Sequence, residues 1–254
     1  MLLARCYFWF ILVGVTVVSL AAAVPCMLFS RAFCGLKGID PARGVRFVNW
    51  LYGRIFRFLA RPVMPVTAIN PEMARNNSPC IILPNHQSFL DIYLFSAQKV
   101  TNLCFVVTNW PFSRLFFFAL LMRQARYVKV GSAEDILNFT ERCREELAAG
   151  STLVCFPEGT RSRSGSLLPF KSGIFRVAAA TGASIVPMLY LNTGKFCPPG
   201  SFKVYPQRIF VKLLEPIKPL PELDERLSCK DLMHRAREAM LAGLEAGRAA
   251  ASGE

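Results

Sequence analysis

Cys80-Ile81-Ile82-Leu83-Pro84-Asn85-His86-Gln87-Ser88-Phe89-Leu90-Asp91 is the stretch on which the reading of this chain turns. Its first five residues form an unbroken apolar run of strand length, the pattern of a strand buried on both faces. The polar Asn85-His86-Gln87 ends that run and reads as a loop. Ser88 then opens a helix with Asp91 three residues on, the spacing of a capping box. The chain holds only two histidines, and the second, His234, lies among charges near the C-terminus. An imidazole base working near neutral pH is therefore His86. On one continuous helix, five residues turn about 500°, which leaves His86 and Asp91 about 140° apart. If His86 instead sits in the loop and the helix starts near Ser88, the imidazole can fold back so that Asp91 takes its Nδ1–H. That bond would fix the tautomer, free Nε2 to accept a proton and stabilise the imidazolium. The same residues also fit a plainer arrangement, with Asp91 as a helix cap and His86 as a loop residue.

Outward from this stretch, short apolar runs alternate with helical patterns. Strands are expected at Met64–Ile69, Cys80–Leu83, Leu103–Val107, Arg126–Val130, Thr152–Phe156, Ser184–Leu191 and Phe202–Leu214, the last open to a break at Pro206. Helices are expected over 88–98, 111–123, 133–149, 171–181 and 228–247. The best marked is 133–149, with Ser132 as N-cap, Asp135 at N3, an apolar stripe through Ile136, Phe139, Cys143 and Leu147, and Gly150 as its stop. The alternation predicts an α/β class: one mixed-sheet domain over 62–254, flanked by helices. Segment 111–123 is too short to cross a bilayer and suits a buried core helix, the wall of an apolar-chain pocket or a dip into the membrane.

The first 61 residues differ. Cys6 to Phe29 carries no charge and is bracketed by Arg5 and Arg31, long enough to span a membrane. A cleaved leader ending near Ala21-Ala22-Ala23, or a shallow hairpin broken at Pro25, would also accommodate the run. Beyond it stand Arg31, Lys37, Arg43, Arg46, Arg54, Arg57 and Arg61 against a single acid, Asp40. By the positive-inside rule this side faces the cytoplasm. Residues 43–60 mix bulky apolar side chains with four arginines and read as a basic amphipathic helix at an anionic interface. Residues 1–61 are thus expected to be a membrane-embedded and interfacial segment.

Composition agrees with contact to lipid. Of the 254 residues, 53% are hydrophobic, and the net charge is +13. A basic chain favours polyanions: an anionic membrane surface, acidic substrates or nucleic acid. No nucleic-acid module is recognisable, which leaves the first two. The nine cysteines are odd in number, with no C-x-x-C and no paired spacing, as in a protein of a reducing compartment. No G-x-S-x-G elbow, P-loop or dinucleotide fingerprint occurs, and two distant histidines offer no metal centre.

A second polar stretch follows an expected strand end: Phe156-Pro157-Glu158-Gly159-Thr160-Arg161-Ser162. Ligand crevices of α/β folds lie at such ends. Gly159 permits close backbone approach, Thr160, Arg161 and Ser162 supply donors, and Arg163 and Lys171 add positive charge, a combination suited to a phosphate.

With both stretches in view, the chain resembles the glycerolipid acyltransferase family, in its lysophosphatidate acyltransferase group. His86 through Asp91 resembles that family's H-x-x-x-x-D block, and Phe156 through Ser162 its F-P-E-G-T-R-S block. Pro169-Phe170-Lys171-Ser172-Gly173 and Val186-Pro187 are similar to two further blocks, in matching order over about residues 60–215. The resemblance implies catalytic roles for His86 and Asp91. It implies a phosphate-binding role for Glu158, Gly159, Thr160 and Arg161, to which Lys171 adds charge. It implies no metal or cofactor, acyl-CoA or an acyl carrier protein as donor, and a lysophospholipid acceptor drawn from the membrane. One block departs. Val130 of Tyr127-Val128-Lys129-Val130 stands where the family carries an arginine, with Lys129 and Arg126 as substitutes, so another lysolipid such as a lyso-ornithine lipid stays open as acceptor. A non-catalytic lipid-binding relative is the alternative from another class.

Overall fold

The computed structural model describes residues 1–108 and 116–252. Helix α1 (Leu2–Leu36) and helix α2 (Pro41–Ala60) come first, followed by strand β1 (Val66–Ile69). Strand β2 (Ile81–Pro84) runs into a 3-10 helix, Phe89–Ala97. Then come β3 (Leu103–Thr108), α3 (Phe116–Gln124) and β4 (Val128–Val130). Helices α4 (Ala133–Leu137) and α5 (Phe139–Ala148) lead to β5 (Thr152–Val154). The chain closes with α6 (Gly173–Thr181), β6 (Ile185–Leu191), β7 (Ile209–Leu213) and α7 (Glu225–Ser252). Single helical turns occur at Met73–Asn76 and Thr193–Phe196.

The seven strands form one mixed sheet in the order β1-β7-β6-β2-β5-β3-β4. Strands β6, β2, β5, β3 and β4 are mutually parallel, β7 is antiparallel to β6, and β1 is parallel to β7. The carboxyl ends of the five parallel strands therefore share one edge with the amino ends of β1 and β7. Strand β2 lies at the centre and is buried throughout because both faces are covered. Successive side chains alternate between faces. Ile82 packs with Phe8, Phe56, Leu94 and Met188 on one side. Ile81 and Leu83 pack with Cys143, Phe175 and Leu232 on the other.

The amino-terminal helices share this core. Phe8 is fully buried, with its ring edge-on to Phe56 at 6.0 Å and to Phe196 at 5.2 Å. Tyr7 donates to the Leu59 carbonyl, and the Trp9 indole donates to that of Phe202. Helix α1 is one continuous helix through Pro25, not a hairpin. Its Leu2–Ala22 portion has mean hydropathy 1.9 and is mostly unburied, with Phe10, Val13, Val17 and Val18 exposed. Helix α2 is two-faced. Ala42, Val45, Arg46, Gly53, Phe56 and Ala60 are buried, while Phe47, Leu51, Ile55 and Phe58 are exposed. The expectation that its arginines all point to an interface is corrected at Arg46. That side chain is buried against Glu146 at 2.8 Å and also donates to Ala125 O, Asn102 Oδ1 and Ser151 Oγ. Arg43 likewise turns back to the Ala149 carbonyl.

Other boundaries move for identifiable reasons. The expected 133–149 helix breaks at Asn138, and Ile136 and Leu137 face outward, so its apolar stripe holds only from Phe139 on. Of Phe202–Leu214, only Ile209–Leu213 pairs. Pro206 cannot donate to a ladder and stays outside it. Arg126 takes a left-handed φ of 53°, which keeps it out of β4. The first residues of the expected 111–123 helix lie outside the described residues.

Candidate active site

His86 lies just past the end of β2, where the buried strand must release its polar residues. Asn85 anchors the exit. Its Nδ2 donates to Tyr190 O at 3.1 Å and its Oδ1 accepts from Tyr190 N at 2.7 Å, clamping the loop to β6. The 3-10 helix then starts at Ser88 with a complete capping box, in which Ser88 and Asp91 cap each other's main chain. This turn carries Asp91 back over the loop. His86 Nδ1 and Asp91 Oδ2 are 2.8 Å apart, and the same oxygen accepts the main-chain N–H of Gln87 at 2.8 Å and of Ser88 at 2.9 Å. The two sequence alternatives for Asp91 are therefore compatible: one carboxylate both caps the turn and holds the imidazole.

The Asp91 side chain is fully buried, and that of His86 is 17% exposed. An ionised carboxylate only accepts, so the shared proton resides on Nδ1, and Nε2 is the nitrogen left to take another. The ring stacks on Phe156 with centroids 4.0 Å apart, and Phe156 meets Phe95 edge-on at 6.0 Å. Beneath the site, Asp91 Oδ1 and the Tyr190 hydroxyl are both buried without a hydrogen-bond partner among the described residues. Burial, and then the Asp91 charge, hold the Tyr190 hydroxyl well above the usual phenol range.

The second polar stretch leaves the carboxyl end of β5, the strand beside β2, and is hooked directly onto the first. Ser162 N donates to His86 O at 2.8 Å. Glu158 is buried and faces inward. Its Oε1 accepts from His86 N at 2.9 Å and its Oε2 from Leu168 N at 2.8 Å. Burial raises its pKa, while the two main-chain N–H groups and His86 oppose the rise. Glu158 is thus a brace between segments, whereas Thr160 and Arg161 are exposed. Gly159 turns with φ 68°, and a Cβ there would lie 2.8 Å from Lys171 Cε, so the Lys171 chain crosses directly over it. Burial pushes the Cys197 thiol up to about 11, and the nearby Arg161 charge offsets part of that rise. Cys197 O accepts from Ser88 Oγ at 2.9 Å, which ties that residue to the turn that carries Asp91.

All seven sequence-selected residues, His86, Asp91, Glu158, Gly159, Thr160, Arg161 and Lys171, thus belong to one loop cluster at one sheet edge. The substitutes for the missing arginine at Val130 are engaged elsewhere: Lys129 lies 3.7 Å from Asp135, and Arg126 pairs with Asp40 and Glu146. Asn85, Phe156 and Tyr190 escaped sequence reasoning as parts of the site. A buried Asn directly after an apolar strand was the available signal for the first. Among the described residues, no group of three or more His, Cys, Asp or Glu is placed to hold a metal. Chemically, the cluster offers a tautomer-fixed base beside an exposed cationic segment.

Comparison with known proteins gives a consistent picture. The sequence profile of the family described as Acyltransferase matches residues 65–191. The 1-acyl-sn-glycerol-3-phosphate acyltransferase BAT2, chloroplastic, of Brassica napus is 37% identical over 138 residues, covering 51% of this chain and 38% of that protein. The 1-acyl-sn-glycerol-3-phosphate acyltransferase of Chlamydomonas reinhardtii is 31% identical over 186 residues, 72% of this chain and 54% of that protein. The matches to these relatives thus span little more than half of their length at most. Among solved structures, the crystal structure of the 1-acyl-sn-glycerophosphate acyltransferase PlsC from Thermotoga maritima superposes with a TM-score of 0.73 at 25% identity, covering 96% of this chain and 95% of that one.

Proposed function

Because the chain belongs to the acyltransferase family, whose profile takes in half of its length, we propose that it moves a fatty acyl group from a thioester to the free hydroxyl of a lysophospholipid, with 1-acyl-glycerol-3-phosphate as acceptor and phosphatidic acid as product. The observation that carries this reading is the 2.8 Å contact between His86 Nδ1 and Asp91 Oδ2 beside the cationic 159–162 segment. His86 Nε2 takes the proton of the acceptor hydroxyl as its oxygen attacks the thioester carbonyl. Asp91 keeps the imidazole in the right tautomer and stabilises the imidazolium. Collapse of the tetrahedral intermediate breaks the C–S bond. The thiolate of CoA or of an acyl carrier protein leaves and takes up the proton that His86 held. Arg161 and Lys171 bind the acceptor's phosphate, with Gly159 and Thr160 shaping the approach. Glu158 holds both loops in register. No protein residue is acylated, and no cofactor enters these steps.

The exposed apolar face of α1 and the stripe Phe47, Leu51, Ile55 and Phe58 on α2 support attachment to a membrane, with the catalytic domain on the cytoplasmic side. A cleaved leader fits poorly, since it would remove Phe8 and Leu12 from the core.

A panel of lysolipids with acyl-CoA or acyl carrier protein tests the reaction. Thiol release that requires a phosphate-bearing lysolipid is expected. Release without acceptor would make the protein a thioesterase, and no release with any pair would leave a lipid-binding relative. One observation favours a second acceptor class. Val130 stands where the resemblance implies an arginine, and both neighbouring cations are ion-paired, so this position offers no free cation for a phosphate, which suits a lysolipid without a phosphomonoester. A lyso-ornithine lipid in the same panel separates the two.

A further inference from the structure

A cleft of about 370 Å³ lies at the carboxyl end of α2, away from the loops of His86 and Glu158. Arg54 and Arg57 line it from α2, Arg61 from the cap just past that helix, Thr67 from β1, and Arg208 from the residue before β7. The sequence pattern builds it. Residues 50, 54, 57 and 61 fall at spacings of four, three and four, so Trp50 and the three arginines form one stripe of the helix. The Arg54 guanidinium lies 5.0 Å over the Trp50 ring. Arg208 joins them because Ile209 N donates to Pro65 O at 2.9 Å, which brings the start of β7 beside the start of β1.

Among the described residues, no carboxylate lines the cleft. Arg57 Nε and Nη1 are buried with no hydrogen-bond acceptor among the described residues. Burial and the neighbouring Arg54 charge lower the Arg57 pKa, as like charges gathered around an anion site do to one another. Four guanidinium groups held together without a counter-charge cost folding energy, and an anion in the cleft would offset it.

The cleft shares the sheet edge that carries His86, since the amino ends of β1 and β7 lie beside the carboxyl end of β2. Three strand spacings separate β1 from β2, roughly 14 Å. Phe58, 73% exposed, sits on its rim and continues the apolar stripe Phe47, Leu51 and Ile55. An anion site bordered by an exposed apolar stripe matches a molecule that is anionic at one end and apolar at the other.

We propose that this cleft binds the phosphate of an anionic membrane phospholipid, a lipid that is not consumed but fixes the height and tilt of the catalytic edge against the headgroup layer. The two deep nitrogens of Arg57 take the phosphate, Arg61 and Arg208 close over it, and the acyl chains run along Phe58.

The test uses the full chain in neutral detergent micelles doped with equal amounts of phosphatidylglycerol and phosphatidylcholine, the retained lipid being counted by native mass spectrometry. Selective, saturable retention of phosphatidylglycerol is expected. The paired substitution Arg57→Gln with Arg61→Gln should weaken it roughly 10- to 100-fold, while Arg161→Ala leaves it unchanged. Arg61→Gln with Arg208→Gln, both exposed, serves if the first pair misfolds, and should also weaken retention. Equal retention of both lipids, or no change in either variant pair, overturns the proposal. So does competition by free CoA or by inorganic phosphate at lower concentration than the lipid, which would assign the arginines to the donor's phosphates or to a bare anion.

Discussion

Glu158 Oε1 accepts the main-chain N–H of His86 at 2.9 Å, so a side chain from one loop fixes the backbone that carries the imidazole of the other. Ser162 N closes the link from the opposite side by donating to His86 O at 2.8 Å. The His86 ring is therefore held by Asp91, and its main chain by the 158–162 segment. The two loops are thus built as one unit, so a substitution in either is to be assayed for both kcat and KM.

His86→Ala should lower kcat by at least roughly 10²- to 10⁴-fold with little change in acceptor KM. Asp91→Asn is the sharper substitution, because it keeps size and capping ability and removes only the charge. A kcat loss of similar depth with nearly unchanged melting is expected. The double variant should be little worse than either single one, as befits residues acting together. Full kcat in Asp91→Asn would reduce Asp91 to its capping duty.

Arg161→Ala should act mainly on acceptor KM. Removing a charge-assisted contact of about 1.5–3 kcal/mol raises KM roughly 10- to 150-fold for a phosphate-bearing lysolipid. An acceptor without phosphate should be indifferent to the change. Steady-state kinetics on both acceptors check this, and an unaltered KM for the phosphate-bearing one excludes Arg161 from the site.

Glu158→Gln leaves an amide NH₂ facing one of the two main-chain N–H groups that Glu158 now satisfies. A loss of about 1–3 kcal/mol at low pH is expected. The pH dependence has a definite sign. Since burial raises the folded-state pKa above its ordinary 4.5, ionising Glu158 opposes folding. The wild type's advantage over Glu158→Gln is full below that value and shrinks as pH rises through the folded-state pKa. Denaturant unfolding of both proteins across this window measures it. An advantage that grows with pH would contradict the assignment.

Phe8→Ala should destabilise the α/β domain itself by about 3–5 kcal/mol, because its ring is fully buried between Phe56 and Phe196. Arg46→Ala should cost about as much by leaving Glu146 buried with a weaker partner. A detachable anchor would instead leave domain melting unmoved by either change.

High salt should leave most of the protein in the membrane pellet, since screening weakens the arginines but not the exposed apolar face of α1. Sedimentation after a salt wash decides, and quantitative release would make the attachment electrostatic alone.

Much of this was legible in the sequence because the signals were local. The strand before His86 shows as an unbroken apolar run, and the turn to Asp91 shows as a capping box four residues long. Contacts made across the fold left no such trace. Arg46 reads like any interfacial arginine until Glu146, a hundred residues on, is brought beside it. Glu158 reads as a ligand in a phosphate loop, and only the return of the chain at Leu168 turns it inward. Phe8 lies in a run whose composition suits lipid and protein interiors equally, so composition could not pick out Phe8 and Leu12, which are buried, from the mostly unburied residues around them.

The Trp9 indole stacks on Phe89 with ring centroids 6.0 Å apart, and Phe89 follows Ser88 at the start of the capped turn that carries Asp91. Helix α1 thus leans on the element that carries Asp91 to the imidazole. Solvation of α1 then becomes a variable of the chemistry. A detergent that draws Trp9 away from the core should loosen the Ser88–Asp91 turn and slow turnover while every side chain of the loop cluster stays intact. Lipid returned in time to re-seat Trp9 should restore the rate without refolding the domain.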